Sequence, residues 1–264
     1  MADWCYQVVD FCKFNRETVS IAMSFLDRYL STPTGASRCL SSKKEFQLAA
    51  MTALYTAVKI NEPEAMDPKV IAGLSRGVYT EDQVTDMELS ILNSLKWRMN
   101  PPTSLSFVRA FFQLLPTKSI PKSVQEAAFE LARFQTELAI SDYQYCTCKA
   151  STIAIAALLN AFEGLEHQLS LENTLPKQYL QEFVTMMNIQ NVHELHQVQN
   201  ALYASISKAN DSGKLPSKFS ETTTSSLQKK KPEQQQKNTK TIAQQSSPRS
   251  IRDQGTMLTA GCMQ

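Results

Sequence analysis

Seven glycines in 264 residues is far below the roughly 7% of an average protein. Turns and phosphate cradles that depend on glycine are correspondingly scarce. The chain contains no GxGxxG, no GxxxxGK[ST], no HExxH and no GxSxG, which excludes the common nucleotide-binding, zinc-protease and serine-hydrolase constellations. Histidine is scarcer still: His167, His193 and His196 are all there is, and none converges with a cysteine motif. The six cysteines, Cys5, Cys12, Cys39, Cys146, Cys148 and Cys262, include no CxxC pair. Cys146 and Cys148 therefore read as small buried hydrophobes rather than zinc ligands, and neither a metal nor a cofactor is expected. No apolar run is long enough to span a bilayer and no secretory segment is visible, so a reduced, intracellular protein without a membrane partner is expected. The terminal GCMQ places Cys262 one position too late for prenylation.

Strong charge of either sign is also missing. The formal net charge is +2. Residues 1–206 hold 17 Lys+Arg against 21 Asp+Glu, and residues 207–264 hold 10 against 4. A slightly acidic body argues against nucleic acid as the main ligand.

What is present is helical periodicity. Trp4, Val8 and Phe11 mark a first helix, and Asn15 caps a second with the stripe Ala22, Phe25, Leu26 and Tyr29. A loop over residues 31–42 leads into FQLAAMTALYTAVKI at 46–60, apolar on every side and so predicted to be buried nearly all round. Asp67 followed by Pro68 opens a short helix, and Thr80 with Gln83 forms a capping box for the next, with Tyr79 and Val84 as its hydrophobic staple. Asn100, Pro101 and Pro102 are a hard stop and a domain boundary. Beyond them come helices at 104–115, 123–140, 150–165, around 177–187 and at 192–207. The segment ASTIAIAALLNAFEGL is again apolar all round, about a hundred residues after its counterpart. The expected fold is all-α: two tandem five-helix domains, 1–100 and 101–206, each wrapped round a central buried helix. Residues 207–264, rich in Lys, Gln, Ser and Thr, are expected to be a disordered basic, polar tail.

Two charges interrupt the apolar pattern. Lys59 stands near the end of the 46–60 helix. Glu88 lies on the stripe Val84, Met87, Ile91, Leu92, Leu95 of the helix that follows Thr80. Each is costly on a buried face unless paired. One account is a mutual salt bridge closing an edge of the core; the other leaves both groups at the rim of an apolar surface, where they hold the backbone of a partner chain.

The ordered motifs of the first half resemble a cyclin box, the five-helix module of the regulatory subunits of cyclin-dependent kinases. They are Asp3-Trp4, SFLDRYLS at 24–31, FQLAAMTALYTAVKINEPE at 46–64 and YTEDQVTDMELSILNSLKW at 79–97. The second half is more loosely similar to the C-terminal cyclin fold through ISDYQYCTCKASTIAIAALLNA at 140–161. The resemblance implies that Lys59 and Glu88 hold the segment leading into the kinase's mobile αC helix, with Thr56, Ile60, Leu92, Trp97 and Met99 as apolar surround and Glu62 at the rim. Asp27 and Leu48 match structural positions of the family. The implied activity is regulatory, not enzymatic. Phosphoryl transfer needs the αC glutamate paired with a lysine of the kinase, and a subunit that binds only that state shifts the kinase toward it. Location in nucleus and cytoplasm follows from the same likeness, and MELSILNSLKWRMNPPTSLSFV is similar to G1-type cyclins, pointing to control of cell-cycle entry.

The chain departs from the family at several places. Met1 falls on the last position of the family's Met-Arg-x-Ile-Leu motif, so the first helix reads as truncated. The arginine that pairs with Asp27 is absent, and Asp27 is expected to lack its usual partner. The family's docking groove for substrates or inhibitors is implied at Trp4, Gln7, Lys43, Phe46 and Gln47, with Gln7 in place of the usual acid; a core anchor is an equal account of Trp4. Val58 and Asn61 replace a serine and a glutamate of the common A-S-K-x-E-E pattern. In the tail, Ser247 before Pro248 is a phosphorylation candidate and Lys229 to Lys231 a weak nuclear-import signal. No RxxL or KEN element is present. The alternative to a kinase activator is a cyclin-fold scaffold or an orphan cyclin, acting in transcription or protein interaction.

Overall fold

The structure, a computed structural model, describes residues 1–114, 120–165, 185 and 192–213. Among them are ten α-helices, one 3-10 turn and no strand. They fall into two units that part between Pro101 and Pro102.

In the first unit, α1 (Ala2–Cys12) buries Cys5, Tyr6, Val8 and Val9, while Phe11 turns outward and Trp4 is half-buried. Of the expected stripe Trp4, Val8 and Phe11, only Val8 is in the core. α1 ends at Lys13, whose φ of 59° breaks the helix. α2 (Glu17–Leu30) begins just after Asn15, whose Oδ1 accepts the Glu17 N–H at 2.9 Å. The residues expected to form only a loop contain a further helix, α3 (Pro33–Cys39). Thr32 caps it by accepting the Gly35 N–H, and Pro33 supplies the preset φ of a first turn. α4 (Lys43–Asn61) buries every residue from Leu48 to Val58 and packs against α2, α3, α6 (Glu81–Ser94) and the short α5 (Pro68–Leu74). The Asp67 cap with Pro68 at the first position and the reciprocal Thr80–Gln83 capping box are both in place.

Gly35 is the one glycine demanded by packing. A Cβ there would lie 2.0 Å from the Tyr29 carbonyl oxygen at the end of α2, an atom that cannot yield. Gly35→Ala is therefore expected to destabilise the unit by roughly 1–3 kcal/mol, the usual range for overpacking. Urea denaturation checks it: an unchanged midpoint would mean that α3 can lift off α2 at no cost.

In the second unit, α9 (Ala150–Gly164) is buried from Thr152 to Leu158 and again from Asn160 to Phe162. It is covered by α7 (Ser104–Leu114), α8 (Lys122–Ile140) and α10 (Val192–Asp211), with a 3-10 turn at Tyr143–Tyr145 between α8 and α9. α10 runs past the expected end at 207, because Ile206 and Ala209 continue the buried stripe of Leu195, Val198 and Leu202. Apart from residue 185, which is helical, the helix expected around 177–187 lies outside the described residues, as do the tail from 214, Ser247 and Lys229 to Lys231. No described helix is long and apolar enough to cross a membrane, and no metal-competent cluster of His, Cys, Asp and Glu occurs among the described residues.

Cys5 is 1% exposed, and burial pushes its thiol up to about 12, whereas Cys146 is exposed and Cys148 half-buried, which corrects the expectation that both are buried. Brief alkylation of the native chain at neutral pH is expected to label Cys146 and spare Cys5, since only the thiolate reacts. Peptide mass mapping that found Cys5 modified first would show α1 to be open.

Candidate functional site

α4 and α6 place the two charges. The burial of α4 stops at Val58, and Lys59 and Ile60 are exposed. The expectation of burial through residue 60 is thus two residues too long: Lys59 occupies the last turn, where the chain leaves the core and a cation also suits the helix's negative end. Glu88, one turn past the capping box of α6, is only 8% exposed. Lys59 Nζ donates to Glu88 Oε2 at 3.1 Å and to Oε1 at 3.3 Å. The ion pair is lopsided, the lysine side chain being 49% exposed and the glutamate 10%.

Thr56 Oγ1, one turn before Lys59 and buried, lies 2.9 Å from the Thr52 carbonyl and 3.4 Å from Glu88 Oε1. Its single proton goes to the shorter bond. Tyr55, also buried, brings its ring beneath the ammonium, with Nζ 5.5 Å from the centroid. Burial alone would lower the Lys59 pKa, but hydrogen bonding and charge from Glu88, with Tyr55 behind, hold it above its ordinary value. Burial raises the Tyr55 hydroxyl, and the negative charge of Glu88 adds to that.

The residues implied as the apolar surround of the pair are in part exposed. Ile60 is 47% exposed and Trp97 64%, while Leu92 and Met99 are half-buried. Trp97 follows α6, its N–H donating to the Leu92 carbonyl at 3.0 Å. Leu89, next to Glu88 and 53% exposed, was not singled out from the sequence; its signal is a leucine out of phase with the buried stripe. Glu62 faces another way: its Oε1 accepts the Asn15 N–H at 3.0 Å and a short bond from the Thr18 hydroxyl, tying the end of α4 to the start of α2.

The remaining sequence candidates lie on α1, α2 and α4. Gln7 on α1 and Lys43 on α4 are exposed, and Trp4, Phe46 and Gln47 are half-buried. The Tyr79 hydroxyl lies 2.7 Å from the Lys44 carbonyl and 3.4 Å from Gln47 Oε1. Leu48 is core. Asp27 is half-buried and is not without a partner, which corrects the expectation of an isolated carboxylate. α2 meets α6 instead through Tyr29, whose hydroxyl is 2.9 Å from Ser90 Oγ.

Successive all-helical units, each wrapped round a buried central helix, set the class of protein. The chain belongs to the cyclin family: the model for the cyclin N-terminal domain matches residues 1–100 and that for the C-terminal domain residues 102–244. It is 28% identical over 162 residues to Cyclin-A1-2 of Arabidopsis thaliana, covering 61% of this chain and 35% of the relative. It is 31% identical over 114 residues to G1/S-specific cyclin-E1 of Gallus gallus, covering 43% and 27%. It is 27% identical over 222 residues to G2/mitotic-specific cyclin-B2 of Oryzias latipes, covering 81% and 53%. The chain thus spans between about a quarter and a half of the length of these relatives. Among solved structures, a viral cyclin from Herpesvirus saimiri aligns with a TM-score of 0.59 at 18% identity, over 79% of this chain and 83% of that one. A CAK complex of Chaetomium thermophilum bound to ATP-gamma-S aligns with 0.55 at 16%, over 86% and 66%. Both likenesses concern the fold.

Proposed function

We propose that this chain is the regulatory subunit of a cyclin-dependent protein kinase, which it binds and activates through the face around Lys59 and Glu88. The observation that carries this is the lopsided ion pair. Glu88 is buried and fixed, whereas Lys59 has half its side chain in solvent and donors to spare; Ile60 and Leu89, their neighbours in sequence, and Trp97, just after α6, are exposed. A purely structural bridge has no need of a half-solvated lysine with unused donors. Lys59 supplies N–H donors and Glu88 an acceptor for the backbone of an incoming segment, while Ile60, Leu92, Trp97 and Met99 cover its apolar side chains; Glu62, bonded to Asn15 and Thr18, holds α2 to α4.

The chain supplies no catalytic group. Its effect on phosphoryl transfer comes from binding the kinase better with the αC helix in place than displaced, and the shift in population is set by that difference in affinity. The relatives above include A-, B- and E-type cyclins; control of cell-cycle entry, docking of substrates or inhibitors at Trp4, Gln7, Lys43, Phe46 and Gln47, and phosphorylation of Ser247 belong to the same proposal. The test is co-expression with each cyclin-dependent kinase of the source cell, purification through a tag on this chain, and assay of histone-type phosphorylation. Activity with one kinase identifies the partner; a folded chain that captures and activates none would make it an orphan scaffold.

A further inference from the structure

We propose that Arg28, on α2, is a positioning residue for Trp97, holding the segment after α6 in the shape that presents the indole to a partner. The proposal rests on Trp97 belonging to the docking face described above.

Lys96 and Trp97 both have positive φ, 52° and 58°. Two consecutive left-handed residues other than glycine are unfavourable, and such backbone persists only where its surroundings over-determine it. Local bonds are part of the restraint: Lys96 N–H to the Asn93 carbonyl at 3.0 Å, Trp97 N–H to the Leu92 carbonyl at 3.0 Å and Arg98 N–H to the Leu95 carbonyl at 3.1 Å. All of these lie within the segment itself. The clamp from outside is Arg28, whose Nη2 donates to the Arg98 carbonyl at 2.8 Å across 70 positions of sequence. Burial and the neighbouring positive charge of Arg98 both lower the Arg28 pKa, and the guanidinium is bonded to the Arg98 carbonyl. The indole that results is 64% exposed, a costly display unless a partner covers it.

The step to function is conformational. If the left-handed turn is only fractionally populated without the clamp, partner affinity falls by that fraction, while the core of the unit, centred on α4, is untouched.

The experiment compares the wild-type chain with Arg28→Met, which keeps the apolar stem, and Arg28→Lys, which keeps a donor. Backbone and indole NMR signals of Lys96 and Trp97 are read together with affinity for the kinase found by co-purification. In Arg28→Met the Lys96 and Trp97 signals are expected to leave their left-handed positions and broaden, with affinity falling on the order of tenfold; Arg28→Lys is expected to recover part of both. Unchanged backbone signals at Lys96 and Trp97 in Arg28→Met would overturn the proposal. So would an Arg28 guanidinium in the wild-type chain that exchanges with solvent as fast as a free arginine, a measurement that needs no variant to fold. Altered signals with undiminished affinity would overturn the link from clamp to binding. Failure of the wild-type chain to bind any kinase would remove the docking role of the face, while the NMR comparison still decides whether Arg28 sets the turn.

Discussion

Replacing Lys59 and Glu88 together by alanine is expected to abolish activation of the partner kinase and to leave the helical circular dichroism of the chain intact. The fold tolerates the loss because α4 is anchored by eleven consecutive buried residues, Leu48 to Val58, Lys59 stands beyond them, and removing both charges strands neither. Single variants separate the two accounts of the pair further. Lys59→Ala strands a carboxylate that is only 10% exposed, with Thr56 as its remaining near neighbour; Glu88→Ala frees an ammonium already half in water. Stranding the buried member costs more, about 1–3 kcal/mol, than releasing the exposed one. Lys59→Ala is thus the less stable single variant, yet both lose activation. Loss of helicity in the double variant, or full kinase activation by it, would return the pair to a structural role.

The same geometry fixes the pH dependence of the bridge. Lys59 has a folded-state pKa above its ordinary value of 10.5, so the folded chain holds the proton more tightly than the unfolded chain. The bridge's contribution is fully present below the unfolded value and is lost as the pH rises through the raised folded one. Stability is expected to be flat in this respect across neutral pH, with the difference between wild type and Glu88→Ala shrinking only in the alkaline range. A difference that vanished by pH 8 in thermal melts would contradict the assignment.

Much of this was readable in the sequence because it is local. Asp67 with Pro68, and Thr80 with Gln83, carry their caps within three residues, and the central helices announce themselves by lacking a polar side. Glu88 stood out because a charge interrupts an apolar stripe. α3 escaped because seven residues are too few for a periodicity, and its Gly35 argues against a helix until the Tyr29 carbonyl is seen beside it. The left-handed turn at Lys96 and Trp97 has no glycine or asparagine to mark it, and its clamp, Arg28, is remote in sequence. Lys59 was legible as a residue but not as a position: the pattern that makes α4 buried does not say where burial stops.

Asn160→Leu is expected to lower the stability of the second unit by about 3 kcal/mol, from a side chain that touches no proposed site. Asn160 is 5% exposed on the central α9. Its Nδ2 donates at 3.0 Å to Gln135 Oε1 on α8 and at 3.0 Å to the Gln199 carbonyl on α10. Gln135, fully buried, donates in turn to the Ala157 carbonyl at 3.0 Å, and Gln199 Nε2 reaches Glu163 Oε1 at 3.2 Å. One amide thus joins the central helix to two of the helices that wrap it, and leucine leaves the Gln135 oxygen buried without that donor, at roughly 1–3 kcal/mol for the orphan alone. For a unit of about a hundred residues this is a fall in melting temperature of more than about 10 °C. Pairing the change with Gln135→Leu should recover part of the loss, because removing both partners leaves no orphan between them. Asn160→Asp sharpens the test: its carboxylate would face an acceptor in a buried site and bind its proton more tightly folded than unfolded. That variant should therefore be weakest at neutral pH and recover as the pH falls toward 5, the opposite sign to a salt-bridged aspartate. A melting temperature within about 2 °C of wild type for Asn160→Leu, or an Asn160→Asp variant that loses stability on acidification, would show that the bonded amide is not what holds α8 and α10 to α9.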